Sequence, residues 1–259
     1  MKGFLLVLLG VIAAVQGRNF VSQENAVSVP WLVHLRIARP SSGFLDSCVG
    51  TLYTNRHVIT AASCLVEYTR DIRVYSRYFW VRYDTQNIIQ PGYVTEATKS
   101  QAHPIYSPET GVHNIGFVEL DREIQFSDRI QPLGLAPNGT PAPSSGKVCG
   151  YGEKDGNTGE VLQCMEVTVS EYNGFLVSKS DGKTSKYDFG AALVSDNMVH
   201  GILVREADST FSGIFLATAK YASWLEEAVA PGEPRSGGSF ADKEEILVGE
   251  PVNVAEEVF

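Results

Sequence analysis

The side chains best able to do chemistry in this sequence of 259 residues are its cysteines and histidines. No Cys-x-x-Cys pair is present, and no histidine stands near a cysteine at the spacing of zinc ligands, so we expect neither a metal site nor a cofactor. An even number of cysteines favours disulfides over a free thiol, and four cysteines allow three pairings that spacing alone does not distinguish. The cysteines are Cys48, Cys64, Cys149 and Cys164.

One predicted hairpin bears on this choice. Its strands are Lys147–Gly152 and Val161–Val167, and the segment between them is rich in turn-forming residues. If the hairpin folds symmetrically about Gly156 and Asn157, the two cysteines that it contains face each other. Opposed strand residues have Cβ atoms ~4.5–5.5 Å apart, which is close enough to adjust into a disulfide.

The hairpin therefore predicts a disulfide between Cys149 and Cys164. Cys48 and Cys64 then pair by elimination. They close a loop of about fifteen residues, which contributes roughly 3 kcal/mol of stability in the chain-entropy model.

The elements that position these residues are short and rich in β-formers. Glycine, proline, asparagine, aspartate and serine separate runs of β-branched and aromatic residues, a pattern typical of an all-β barrel or sandwich. The predicted strands are Val29–Ile37, Cys48–Thr54, Tyr78–Tyr83, Gly116–Leu120, Val161–Val169 and Val199–Val204. Helical spacing is convincing once, near the end of the body, with Glu226 and Glu227 facing outward. The apolar face of this helix consists of Tyr221, Trp224, Leu225 and Val229.

Both ends of the chain differ from this body. Lys2, an apolar run from Phe4 to Val15 and then a small residue describe a secretory signal peptide over residues 1–17, with a buried N-terminal helix as the alternative. This run is short for a membrane span, and no later stretch reaches that length. Residues 230–259 begin as a linker rich in proline, glycine and serine and continue as an acidic tail, which we expect to be disordered.

The formal net charge of −9 argues against nucleic acid as a partner, because phosphate contacts need clustered lysine and arginine. From Pro231 to Phe259 there are seven acidic and two basic residues, so the tail carries −5 of this charge. The folded body is therefore only mildly acidic.

Seven motifs of the body occur in one order that resembles the chymotrypsin/trypsin-like serine proteases (the S1 family). They are Pro30-Trp-Leu-Val-His-Leu35, Thr60-Ala-Ala-Ser-Cys64, Asn114-Ile-Gly-Phe-Val-Glu-Leu120, Phe126-Ser-Asp-Arg-Ile-Gln-Pro-Leu133, Cys149-Gly-Tyr-Gly152, Tyr187-Asp-Phe-Gly-Ala-Ala-Leu-Val194 and the pair Gly213-Ile-Phe215 with Tyr221-Ala-Ser-Trp-Leu225. The resemblance covers about residues 29–229. It implies an all-β fold of two packed six-stranded antiparallel β-barrels with a C-terminal helix, a domain over residues 18–229 whose barrels divide near residues 125–140.

The chemistry of this family needs a serine nucleophile, a histidine base and an aspartate that orients the histidine. The resemblance places Ser63 at the base position, Asn114 at the orienting position and Phe189 at the nucleophile position. Ser63 has no usable pKa near neutrality, Asn114 has no charge, and Phe189 has no nucleophilic atom. Tyr187 replaces a glycine of the oxyanion hole, so we expect that hole to be damaged as well.

No histidine is predicted to replace the missing base. His57, six residues before Ser63, is interpreted as a packed or half-exposed strand residue, and strand alternation turns His113 away from the site. No histidine–serine pair is predicted elsewhere. The other histidines are His34, His103 and His200.

The resemblance also concerns the specificity pocket and activation. Lys183 falls near the pocket-floor position, with a lysine on a surface loop as the alternative. The family pairs the aspartate at Asp188 with a new amino terminus, but no Ile-Val-Gly-Gly precedes Pro30. A buried Asp188 needs a partner, and the candidates are Lys183, Lys186 or a terminus at Arg18 made by signal removal.

Together these features predict a secreted and catalytically inactive serine protease homologue rather than an enzyme. The resemblance implies a protein-binding cofactor, decoy or regulator in an extracellular fluid, immune or reproductive, with active serine proteases or their substrates as candidate partners. The alternatives are a structural component of a secreted matrix or plug, and an active hydrolase with a rebuilt site. The sequon Asn138-Gly-Thr140 predicts an N-glycan on the exported chain.

Overall fold

The structure is a computed structural model that describes residues 28–40, 44–70 and 72–230. The predicted signal peptide, residues 1–17, and the predicted tail beyond Ala230 lie outside the described residues. The strands are β1 Leu32–Ala38, β2 Leu45–Leu52, β3 His57–Thr60, β4 Val66–Thr69, β5 Ile72–Tyr75, β6 Tyr78–Tyr83, β7 Tyr93–Ala97, β8 Lys99–Ala102, β9 Gly116–Glu119, β10 Ser145–Gly150, β11 Glu153–Lys154, β12 Asn157–Thr158, β13 Gln163–Tyr172, β14 Phe175–Lys179, β15 Ala192–Ser195, β16 Met198–Arg205 and β17 Gly213–Ala217. The helices are α1 Ala62–Leu65 and α2 Ala222–Val229, with short 3-10 helices at Lys186–Asp188 and Ala219–Tyr221.

The first barrel-like sheet is antiparallel and has the strand order β7-β6-β1-β2-β3-β9-β8. Its edge strands β7 and β8 are consecutive in the chain, with only Thr98 between them, so the two edges lie together and the sheet curls. The expected six strands appear as seven segments because Thr98 leaves the ladder. Its backbone N–H and hydroxyl donate to the Asp121 carboxylate at 3.4 and 3.1 Å.

The second sheet is a closed barrel of six antiparallel strands in the order β10-β13-β14-β17-β16-β15. Because the barrel is closed, each of its strands pairs with a neighbouring strand on both sides. The chain passes from the first sheet to this barrel between Glu119 and Ser145. The expected all-β architecture of two barrels is therefore confirmed.

Side-chain alternation along the strands fills the barrels. In β1, Leu35 and Ile37 are completely buried, whereas Arg36 between them is exposed. Val81 and Phe79 of β6 lie opposite these two residues and are also completely buried. The core thus follows the two-residue period of a strand with one face turned inward.

The six strands predicted from the sequence all occur. Tyr78–Tyr83 coincides with β6, and the predicted Val199–Val204 lies within β16. β1 begins at Leu32, three residues later than predicted, because the N–H of Leu32 donates to the carbonyl of Val29 at 3.0 Å and closes a turn there.

Both predicted disulfides are present. Cys149 and Cys164 lie directly opposite each other on β10 and β13, as the hairpin predicts, with Cα atoms 4.1 Å apart. Cys48 on β2 and Cys64 on α1 have Cα atoms 6.3 Å apart, and their bond ties the helix to the first sheet. Each disulfide therefore lies within one barrel.

The turn of the hairpin differs from the prediction. It falls at Asp155 and Gly156, whose φ angles of 52° and 76° suit a tight hairpin turn, rather than at Gly156 and Asn157. The two sides of the hairpin are unequal because its second side has two more residues between the ladders, and this stretch contacts the segment between β6 and β7. The carbonyl of Glu160 accepts a hydrogen bond from the N–H of Ile88 at 2.9 Å. The shifted turn thus occurs together with contacts to a distant segment, which the hairpin sequence does not encode.

The predicted C-terminal helix is α2. Leu225 is completely buried and Tyr221, in the 3-10 helix before it, is buried too, whereas Glu226 and Glu227 are exposed. The amphipathic pattern is confirmed. Over residues 28–40, 44–70 and 72–230, no helix has the length and apolar character needed to cross a bilayer.

Candidate functional site

Ser63 and Asn114 lie side by side. Ser63 is in α1, shortly after β3, and Asn114 shortly precedes β9, the strand that pairs with β3. The side-chain oxygen of Asn114 accepts from the backbone N–H of Ser63 at 2.8 Å, and its amide nitrogen donates to the Ser63 hydroxyl at 3.3 Å. The structure therefore joins the residues at the base and orienting positions in one uncharged, hydrogen-bonded pair.

Phe189 is brought to the same place by its backbone. Its carbonyl accepts from the N–H of Val49 at 2.9 Å, a bond between the two barrels. At Gly190, which has a φ of 88°, a Cβ would lie 2.1 Å from both the Val49 carbonyl oxygen and the Thr60 hydroxyl oxygen. Only glycine permits this approach, which fixes Phe189 beside the strand that leads to Ser63.

The side chains at these three positions offer packing and hydrogen bonds rather than acid–base chemistry. Ser63 and Asn114 carry no group that titrates near neutrality. The half-buried ring of Phe189 packs against the cores of both barrels. The three positions thus lie near one another, where the two barrels meet.

The backbone amides of the nucleophile turn are engaged within the turn itself. The N–H of Tyr187 donates to the Ser185 hydroxyl at 3.2 Å, and the N–H of Phe189 donates to the carbonyl of Lys186 at 3.4 Å. These bonds close the 3-10 helix that Ser185 caps. An oxyanion hole needs such N–H groups free and aimed at a substrate carbonyl, and this turn does not present them that way.

The ring of Tyr187 also occupies space that a glycine would leave open. Its hydroxyl donates to the carbonyl of Gly156 at the tip of the β11–β12 hairpin. The Lys186 ammonium lies 5.0 Å from the ring centre, within the range of a cation–π contact. The side chain thus connects the turn before Phe189 to the hairpin tip.

Two side chains at the end of β16 cross to neighbouring loops. Arg205 donates to the carbonyl of Thr110 at 2.9 Å, which links the second barrel to the loop before Asn114. The carboxylate of Glu206 accepts from the backbone N–H of Lys186 at 3.1 Å. Arg205 thus links the two barrels, and Glu206 links the end of β16 to the turn before Phe189.

Asp188 is completely buried and accepts four hydrogen bonds. One carboxylate oxygen accepts from the backbone N–H groups of Tyr151 and Gly152 at 2.9 and 2.8 Å. The other accepts from the N–H and the hydroxyl of Ser185, both at 2.9 Å. Burial raises the pKa of Asp188, and these hydrogen bonds oppose the rise.

The lysines predicted as partners of Asp188 do not reach it. Lys183 and Lys186 are both exposed, and the donors to the carboxylate are backbone and hydroxyl groups instead. Lys183 is the surface lysine that the sequence analysis gave as the alternative to a pocket floor. Arg18, the third candidate, lies outside the described residues.

The structure contains a serine–histidine pair that the sequence analysis did not predict. His34 Nε2 and Ser47 Oγ are 2.7 Å apart, and both residues are buried. They line a groove of about 560 Å³ between the barrels, together with Thr158 and Tyr187. Burial, aided by the charge of Arg82, lowers the pKa of His34 to about 3.

Asn138 lies on an exposed turn in the connection between the barrels. The N–H of Thr140 donates to the carbonyl of Pro137 at 3.0 Å and closes this turn. Gly139 has a φ of 85° and open space around its Cα. A glycosyl group on Asn138 would therefore meet solvent.

In the part of the chain that the structure describes, no three histidine, cysteine, aspartate or glutamate side chains gather where they could hold a metal ion.

Comparison with known sequences agrees with this geometry. A sequence model of the trypsin family matches residues 18–225. Trypsin beta of Drosophila erecta is 25% identical over 242 residues, which cover 83% of this chain and 90% of the relative. Kallikrein-8 of Mus musculus is 24% identical over 257 residues, which cover 87% of this chain and 93% of the relative.

Comparison with solved structures shows the same fold. The structure of GrC superposes with a TM-score of 0.68 at 21% identity and covers 82% of this chain and 98% of its own. HL collagenase superposes with a TM-score of 0.64 at 16% identity and covers 77% and 93%. The two barrels, the converging triad positions and a family match over most of the sequence together establish that this chain belongs to the trypsin family and has its chymotrypsin-like all-β fold.

Proposed function

We propose that this protein is a secreted, non-catalytic member of the trypsin family that acts by binding another extracellular protein. The observation that carries the proposal is the turn around Phe189. Its nucleophile position holds a phenyl ring, and the two amides that would receive an oxyanion donate to groups of the same turn. The protein would act as a cofactor, decoy or regulator, in an immune or reproductive fluid, for active serine proteases or their substrates.

The size of the catalytic effects supports this proposal. In another serine protease, loss of the nucleophile or the base alone lowers turnover about 10⁶-fold. Loss of one oxyanion donor lowers it about 10²–10³-fold. These losses of turnover are not additive, but together they would leave almost no catalytic activity. Binding is then the remaining property on which selection could act.

Export is part of the proposal. All four cysteines are paired, and disulfides persist in the oxidising environment outside the cell. Proteins of the trypsin family are typically secreted, and the apolar run near the amino terminus fits a signal peptide. We therefore place the mature protein in an extracellular fluid.

A hydrolase with a rebuilt site is the second candidate, and the His34–Ser47 pair is the observation that favours it. An imidazole with a pKa of about 3 is a weak general base at neutral pH. Its Nδ1 has no hydrogen-bond partner among the described residues, whereas a catalytic histidine is oriented through that atom. The Ser47 hydroxyl also donates to Thr158 at 3.3 Å. These features favour a structural pair.

A role in a secreted matrix or plug remains the other alternative. It requires the chain to associate with itself, whereas a binding protein forms a stoichiometric complex with a different chain. Sedimentation of the purified protein measures self-association. Affinity purification from the native fluid with mass spectrometry identifies a different chain that binds it.

We expect a fluorophosphonate probe to leave the purified protein unlabelled, because no serine with an activated hydroxyl lies at the triad positions. Intact mass spectrometry after incubation with excess probe measures this, with active trypsin as the positive control. An adduct that maps to Ser47 or Ser63 would contradict the proposal and support the rebuilt hydrolase.

A second test of the proposal uses a triple variant that restores the three triad residues and nothing else. Ser63→His, Asn114→Asp and Phe189→Ser supply the base, the orienting carboxylate and the nucleophile, yet the amide at Tyr187 still donates to its own turn. We expect no acylation by a reactive ester in a burst assay, and we use the same variant with Tyr187→Gly added as the matched comparison. Stoichiometric acylation of the triple variant would show that the oxyanion donors are available, and the argument from this turn would fail.

Asn138 is expected to carry an N-glycan when the protein is secreted from eukaryotic cells, because it lies on an open turn in a complete sequon. Digestion with a peptide N-glycosidase should lower the apparent mass of the secreted protein. Thr140→Ala removes the hydroxyl that the sequon requires and leaves Asn138 in place. If digestion changes the mass of that variant as much as that of the wild type, the glycan is elsewhere.

A further inference from the structure

Two histidines stack at the junction between the C-terminal helix and the loop that precedes Asn114. The rings of His103 and His113 lie 4.7 Å apart and within 10° of parallel. Trp224 of α2 packs on His103 at 4.7 Å, and the hydroxyl of Tyr221 lies 3.0 Å from His113 Nδ1. The stack therefore joins two parts of the fold that are more than a hundred residues apart in the chain.

The stack holds the loop in an unusual backbone conformation. His113 has a φ of 58°, in the left-handed region that residues with a Cβ seldom adopt. Its carbonyl accepts from the N–H of Ile115 at 2.8 Å, so the backbone turns sharply around Asn114. Such a conformation persists only where its surroundings hold it in place. Here the surroundings are the stacked ring and the tyrosine hydroxyl.

The charged groups that face the stack are cationic. Arg73 of β5 donates to the carbonyl of His103 at 3.5 Å, and Lys220 of the 3-10 helix lies over the ring of Tyr221 at 5.2 Å. Burial lowers the pKa of both histidines. The neighbouring His113 and then Arg73 lower that of His103 further, and Lys220 does so for His113. His103 Nδ1 is also buried with no hydrogen-bond partner in the described part of the chain.

We propose that the His103–His113 stack is an acid-sensitive latch, which holds the loop before Asn114 against the C-terminal helix at neutral pH and releases it in mild acid. A second proton on the stack would place two imidazolium rings face to face beside two other cations. Release relieves this repulsion because the rings enter solvent. The device lies in the non-catalytic scaffold and does not depend on the proposed binding function.

The direction of the pH dependence follows from the two states. A solvent-exposed imidazole has a pKa of about 6.5, and in the closed latch the pKa is lower. Opening is therefore coupled to proton uptake, which acid favours. The opening constant begins to rise as the pH falls below the pKa of the open state, and it stops rising once the pH is below the pKa of the closed state.

Hydrogen exchange at several pH values between 7.5 and 5, corrected for the intrinsic rate, tests the latch. We expect exchange in residues 103–115 and 219–230 to rise about tenfold or more on acidification. The parent protein and its variants in this experiment carry His34→Gln, because the buried His34 lowers global stability in acid and would otherwise raise exchange everywhere. In that background, exchange in β13, which serves as the reporter of global opening, should change much less. Equal increases in all three segments would indicate global acid unfolding and would overturn the proposal, as would an unchanged loop.

The matched variant is His103→Phe with His113→Gln. Phenylalanine keeps a ring against Trp224, and glutamine keeps a hydrogen-bonding group for the Tyr221 hydroxyl, while neither takes up a proton. In this double variant, hydrogen exchange in residues 103–115 and 219–230 should no longer depend on pH. The control is His200→Gln, a histidine of the second barrel beside Asp196, which should behave like the wild type. If the double variant fails to fold, the single variant His103→Phe takes its place, and an acid response equal to that of the wild type overturns the proposal in either variant.

Discussion

Asp188→Ala is expected to lower the free energy of unfolding by at least about 3 kcal/mol, because it removes a completely buried carboxyl group that accepts four hydrogen bonds. The substitution leaves the N–H groups of Tyr151, Gly152 and Ser185 buried with no acceptor. Each unsatisfied buried donor costs about 1–3 kcal/mol. Urea denaturation at neutral pH, followed by circular dichroism, measures the loss.

Asp208→Ala is the matched control for that experiment. The Asp208 carboxylate also accepts two backbone hydrogen bonds, from Thr210 and Phe211, but it lies on the surface. Water can replace the lost acceptor there, so the effect should be far smaller. If both variants lose the same stability, burial of the Asp188 carboxylate is not the reason for its importance.

His34 is expected to make the protein sensitive to mild acid. Its pKa is lowered to about 3 in the folded state, mainly by burial, whereas the unfolded chain takes up a proton at about 6.5. The unfolded state therefore binds more protons as the pH falls through 6.5, and folding stability falls with it. From pH 7 to pH 5 this residue alone should cost about 2 kcal/mol.

The measurement compares the unfolding free energy of the wild type and of His34→Gln across this range. Glutamine cannot take up a proton but can still hydrogen-bond to Ser47, so the variant should lose about 2 kcal/mol less than the wild type between pH 7 and pH 5. Equal pH slopes for the two proteins would show that folding does not lower the pKa of His34, and would contradict the prediction. His57→Gln removes a histidine from a half-buried position on β3. Comparing its pH slope with that of His34→Gln shows whether the effect is specific to the buried histidine.

The sequence predicted the elements well because local patterns determine them. The strands follow runs of β-formers between turn residues, and α2 follows its apolar spacing. The grouping of Ser63, Asn114 and Phe189 was an implication of the family resemblance, which the local sequence around each residue does not provide. The disulfide between Cys149 and Cys164 was predicted correctly even though the turn was misplaced. The second side of the hairpin has two more residues between the ladders than the first side, and these restore the predicted register of β10 on β13.

The features that the sequence analysis missed depend on contacts between distant segments. His34 and Ser47 share the outer face of adjacent strands, which becomes visible only when the register of β1 on β2 is known. Two of the four donors to Asp188 are N–H groups of the residues that follow β10, and backbone donors leave no signature in the sequence. Lys183 and Lys186 were predicted because they are cations close to Asp188 in the sequence. In the structure, uncharged N–H and hydroxyl groups donate to the carboxylate instead.

The placement of the disulfides has a mechanical consequence. Each bond closes a loop inside its own barrel, so the barrels are joined only by the polypeptide and by noncovalent contacts. Under tension applied at the two ends, the barrels can part while both loops stay closed. These loops span 16 and 15 residues, and at ~3.5 Å per residue they withhold roughly 110 Å of contour length from extension. Reduction of both disulfides would release that length, so their redox state sets how far the chain can be stretched.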